Sequence, residues 1–135
     1  QPCSSAASDV YKRQPLHLGK KEDRGGNDIG ILWFGKKSNL HRLWDSDIID
    51  NSKFSFTELS QNLPIISPEK RKKITSSSID SWIQETHALT KKIYMELPEN
   101  KNLGYKYSYE NFEIIRYQLL KAGLRLAFIL DDIFK

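Results

Sequence analysis

Apolar positions at helical spacing dominate the second half of the chain. Ile79, Trp82, Ile83, Thr86, Leu89, Ile93 and Leu97 share one face. They predict an amphipathic helix opening at Ser77 or Ser78, with Asp80 in its first turn, and running to about Leu97. Pro98 ends it. After a loop holding Gly104, Tyr105 and Tyr107, Ser108 is placed to cap a last helix reaching about Phe134. That helix is apolar on most sides, from Phe112 and Ile115 to Leu130 and Ile133, and so is expected to be central. The chain offers few neighbours to cover it, which points to missing helices.

The first half is patterned more sparsely. Residues 15–39 are rich in Gly, Lys and Asp and read as loop, except for Ile29 to Phe34, which predicts a short strand or hairpin turning at Gly35. Ser38 or Asn39 is a natural N-cap, and residues 40–50 follow helical spacing through Leu40, Leu43, Trp44 and Ile48. Thr57 is placed to cap a short helix with Leu59 and Leu63, ending by Pro64, and ISPEKRKK (66–73) reads as a basic linker or short turn. QPCSSAASDVYKRQ (1–14) is small and polar without periodicity. It is expected to be a poorly ordered tail or sequence foreign to the domain at 15–135. The class implied is all-α, with a short β-hairpin or loop near 29–37.

Composition narrows this modestly. With 135 residues, 39% hydrophobic and 11% aromatic, the chain can build a core as one domain or as part of a larger one. No apolar run approaches the ~18 residues of a membrane span, and no basic, apolar, small-residue leader is visible. A single Cys3 excludes an internal disulfide framework. The net charge of +4 and the lysine clusters at 20–21, 36–37, 70–73 and 91–92 suit a polyanionic ligand, with a solvated surface as the plainer reading.

Candidate chemistry rests on three histidines. His87 sits mid-helix beside the apolar stripe and reads as a surface histidine. His41 and Asp45 are one helical turn apart on an otherwise apolar segment, and apolar neighbours anchor His17 in its loop. Two imidazoles and a carboxylate make an open zinc set. The plainer alternative is a helix ion pair worth ~0.3–0.5 kcal/mol beside an unrelated histidine. In DRGGND (23–28), two glycines allow close backbone approach to a flat or anionic ligand and Asn27 offers an amide for a base edge; a tight turn is the alternative. No Gly-Lys-Ser/Thr follows, so this is not a P-loop, and no Ser/His/Asp or Cys/His nucleophile set is present.

QPLH (14–17), DRGGND (23–28) and NLHRLWD (39–45), in this order and spacing, resemble the zinc-dependent S1/P1 nuclease family. SWIQETHAL (81–89) looks like that family's W-x-x-E-[ST] helix, and QLLKAGLRLAFILDDIF (118–134) looks like its closing helix. The resemblance covers about residues 14–135. It implies a mostly helical fold of the phospholipase C/nuclease type, and hydrolysis of single-stranded DNA and RNA and of nucleotide 3′-phosphates by three zinc ions. It implies that His17, His41 and Asp45 hold one zinc, used for phosphate binding and the leaving group, and that Gly25, Gly26 and Asn27 belong to a nucleobase pocket. Single-stranded nucleic acid or nucleotides are the implied partners, with no membrane and a monomeric state. A periplasmic or secreted location is implied too. The family's other zinc ligands end in an H-x-x-G-D motif just before QPLH, where this sequence has SDVYKR. The chain therefore looks like a C-terminal portion with ligands for one zinc of three, and is expected to be inactive alone. A phospholipase C-like hydrolase and a non-catalytic helical binding module are the alternatives.

Overall fold

The computed structural model describes residues 14–135; of the tail expected over residues 1–14, all but Gln14 lies outside them. Gln14 belongs to the folded part, at 2% exposure. A 3-10 turn (Pro15–Leu18) leads through a glycine-rich loop to β1 (Gly30–Trp33) and β2 (Lys36–Asn39). These pair antiparallel, with Ile31 opposite Ser38. The connection has Phe34 at φ 49° and Gly35 at φ 76°, the left-handed pair that a two-residue hairpin turn demands. The strand and the turn at Gly35 are thus as the pattern predicts.

Asn39 then caps the next helix, its side chain accepting from Arg42 N–H at 2.8 Å. This helix is not uniform. It begins as α1 (Leu40–Arg42), widens to a π segment (Leu43–Asp47) and closes as α2 (Ile48–Ser52). Leu40, Leu43, Trp44 and Ile48 are all buried, at 2% exposure or less.

Three boundaries differ from the sequence expectation. The short helix α3 (Phe56–Gln61) is capped by Ser55, which forms a reciprocal capping box with Glu58, so Thr57 lies inside it. ISPEKRKK is no linker. Ser67 accepts from Lys70 N–H, Pro68 takes the first helical position and Glu69 the first turn, together opening α4 (Pro68–Ser76). The last helix, α6 (Tyr105–Ile133), starts at Gly104, with Ser108 buried inside it and accepting from Asn51 Nδ2. Between them, α5 (Ile79–Met95) is capped by Ser78, close to the predicted bounds. A two-residue β3 (Asn102–Leu103) adds parallel to β1, giving the order β2-β1-β3. The fold is mostly helical with this small sheet at one side.

One core joins these elements, with Leu16, Ile31, Leu43, Trp44, Ile93 and Tyr107 among its members. Trp44 Nε1 donates to the buried Tyr107 hydroxyl at 3.1 Å, tying the π segment to α6. The last helix is not the central one expected: up to Arg125 it is buried along one face only, at Tyr107, Ser108, Ile115, Gln118, Lys121 and Arg125. Beyond Arg125, Leu126, Phe128, Leu130 and Ile133 are exposed, because no described element packs there. Leu43→Ala is expected to cost about 2–5 kcal/mol, read as a lower urea midpoint, since Leu43 is fully buried where the helix meets the core.

Candidate metal centre

His17 is placed by its neighbours. Gln14 and Leu16 are buried, and the Gln14 side chain accepts from Leu16 N–H at 3.2 Å while donating to the His41 carbonyl at 3.1 Å. Thr90 Oγ1, in the middle of α5, donates to the Pro15 carbonyl at 2.6 Å. The turn is pinned to both α1 and α5, leaving the His17 side chain exposed at its surface.

The glycine-rich loop completes the cradle. Gly25 (φ 66°) and Gly26 (φ 84°) take left-handed conformations and are buried. A side chain on Gly25 would meet the Leu16 carbonyl oxygen at 2.5 Å, so only glycine fits there. The Gly25 carbonyl receives His41 Nδ1 at 2.9 Å, and the Gly26 carbonyl receives the His41 backbone N–H at 3.2 Å. Asp23 Oδ1 holds the loop from the other side, accepting from Gly26 N–H at 2.8 Å and from the Tyr94 hydroxyl at 2.9 Å. Asn27 is exposed, and its amide nitrogen donates to the Arg24 carbonyl at 2.9 Å.

These contacts bring the His17 and His41 rings into a near-parallel stack, 5.3 Å between centroids and 23° between planes. A carbonyl oxygen only accepts, so His41 Nδ1 carries a proton, and Nε2 is the nitrogen left to meet a metal. A backbone carbonyl orienting a ligand histidine in this way is a recurring support for metal sites. Asp45 lies half-buried in the π segment, where the Ile48 N–H reaches back to the Leu43 carbonyl. Single π turns often accompany functional positions. Among the described residues, no group of three or more His, Cys, Asp or Glu gathers closely enough to hold a metal. The structure thus assembles the two imidazoles, with Asp45 one turn further along. His87 is exposed on α5, as expected.

Gln14 and Asp23 stand in the QPLH and DRGGND motifs without a role of their own, and nothing in the sequence singles out Thr90 or Tyr94; all four position the site without belonging to it. Their contacts span up to 75 positions of sequence, so no local pattern reveals them. Burial and the Asp23 hydrogen bond push the Tyr94 hydroxyl up to about 12. The folded state thus favours the neutral phenol. The stability this confers is complete below a pH of about 10, the ordinary tyrosine value, and is lost as pH rises through 12. Between pH 10 and 12 the urea midpoint of wild type should therefore fall more steeply than that of Tyr94→Phe.

The family model described as S1/P1 Nuclease matches residues 9–135. Endonuclease 2 of Arabidopsis thaliana is 30% identical over 139 residues, covering 90% of this chain and 47% of the relative. Endonuclease 4 of the same plant is 30% identical over 141 residues, and Endonuclease 1 is 29% identical over 143. The chain spans about half the length of these relatives. With a match running nearly end to end, the chain belongs to the S1/P1 nuclease family.

Proposed function

We propose that this chain forms part of a zinc-dependent endonuclease acting on single-stranded DNA or RNA and on nucleotide 3′-phosphates, and that it contributes one zinc site and part of the base-binding surface. The observation that carries the proposal is the His17–His41 stack with Nδ1 of His41 held by the Gly25 carbonyl. His17, His41 and Asp45 would hold the ion, a donor set of two nitrogens and one carboxylate that suits zinc and leaves room for a phosphate oxygen. A zinc ion there supplies Lewis-acid stabilisation to a phosphate oxygen and to the departing 3′-oxygen. The chain's own part is to fix the imidazoles, through Gln14, Thr90 and the Gly25–Gly26 backbone, so that little reorganisation accompanies binding.

Gly25 and Gly26 serve the site through their carbonyls, and Asn27, exposed beside them, is the group left to meet a base. Among the described residues no helix is long and apolar enough to cross a membrane; an exported parent enzyme is the reading the family supports. Because this chain carries ligands for one zinc, the purified 135-residue polypeptide is expected to bind zinc yet leave single-stranded DNA intact. Incubation with oligonucleotide and added zinc tests this. Robust turnover would refute the assignment of the nucleophile-generating metals to other residues.

A further inference from the structure

A second cationic feature lies away from the histidines, where α4, the start of α5 and the middle of α6 meet. Arg125 and Lys121 of α6 are both buried, each at 4% exposure. Their one described acidic partner is Glu85 on α5, whose two carboxylate oxygens divide between them: Oε1 takes Lys121 at 2.7 Å and Oε2 takes Arg125. Two buried cations against one half-exposed carboxylate leave uncompensated positive charge, an arrangement that is costly unless another anion joins it. The Lys121 amine is pushed down accordingly, chiefly by burial, with Arg125 and Lys70 adding repulsion.

Beside this triad is a cavity of about 320 Å³. Its charged lining is Lys70, Lys73, Arg125 and Glu85, three cations against one anion, with Ser77 at the end of α4 and Ser81 in the first turn of α5. The aromatic faces nearby are taken. The Arg125 guanidinium lies 4.8 Å from the centre of the Trp82 ring, and Lys70 and Lys121 stand 4.8 Å and 4.9 Å from that of Tyr117. A base therefore has no free ring to stack on, whereas a compact anion meets cations and a helix N-terminus. Arg125 Nε is itself fully enclosed, without a partner among the described residues.

We propose that this pocket, formed by Lys70, Lys73 and Arg125 around the start of α5, binds a phosphate group, either of a small phosphate ester or of a nucleic acid backbone. It is distinct from the candidate metal centre: Trp82 and Thr90 are eight positions apart on α5, roughly 12 Å along the axis, and it involves neither histidine of the stack. The proposal stands on its own geometry and does not require the zinc reading.

The test uses the full 135-residue chain in metal-stripped buffer at constant ionic strength, titrated with inorganic phosphate and, separately, with an eight-residue oligothymidylate. Amide NMR shifts of residues 70–82 and 125 should move saturably with at least one probe. Phosphate alone identifies a small-ester site, and the oligonucleotide identifies a backbone site. Lys70→Ala/Lys73→Ala removes two exposed cations and leaves the Glu85 ion pairs with Lys121 and Arg125 in place, and should weaken binding by about tenfold or more. Lys73→Ala serves in its place, with a smaller loss, if the double variant loses its native circular dichroism. No saturable shift with either probe overturns the proposal, as does unchanged affinity in the folded variant.

Discussion

Gly25→Ala is expected to destabilise the chain by about 2–4 kcal/mol and to remove most of its zinc affinity. Two costs combine. The residue sits at φ 66°, where an L side chain is disfavoured by about 1–2 kcal/mol. Its new Cβ would also lie 2.5 Å from the Leu16 carbonyl oxygen, so the backbone must move. The movement falls on the two carbonyls that hold His41, because the loop at Gly25 and Gly26 receives both its Nδ1 and its backbone N–H. Urea unfolding reports the first effect and chelator competition for zinc the second. Gly35→Ala is the control. It too has positive φ, but an added Cβ there meets nothing within 4 Å, so it should cost stability without affecting zinc.

His41→Ala should lower zinc affinity by at least about a hundredfold while leaving the chain folded. The side chain is only half-buried, so the core around Leu40, Leu43 and Trp44 survives its removal. The lost group is one of two nitrogen donors, and the Gly25 carbonyl loses its side-chain partner. Asn27→Ala provides the contrast. Asn27 is exposed and its amide bonds only locally to Arg24, so zinc affinity should be unchanged. Equal losses in the two variants would mean that the loop as a whole, and not the imidazole, controls the metal.

The helices around Leu43, Trp82 and Ile115 were legible because burial imposes a period, and that period is written in single residues. Two caps were legible to within one residue, Asn39 of the pair Ser38 and Asn39 and Ser78 of the pair Ser77 and Ser78. The cap of α3 was placed at Thr57 in place of Ser55, and α4 was hidden by a lysine-rich surface with almost no apolar stripe. The π segment has no distinct spacing, since His41 and Asp45 are four apart in either helix type. The histidine pair was visible as residue types in order, but its geometry depends on Gln14, Thr90 and Tyr94, which meet the site only through tertiary contact. Glu85, Lys121 and Arg125 likewise sit on two helices and converge only in the folded chain.

Whether the histidine pair holds zinc is decided by zinc K-edge X-ray absorption on the chain loaded with one equivalent. Two imidazole nitrogens are expected at about 2.0–2.1 Å, together with oxygen donors, and one imidazole is expected to be lost in His17→Ala. A spectrum without imidazole scattering, or one dominated by sulfur from Cys3 at about 2.3 Å, would contradict zinc binding by the pair.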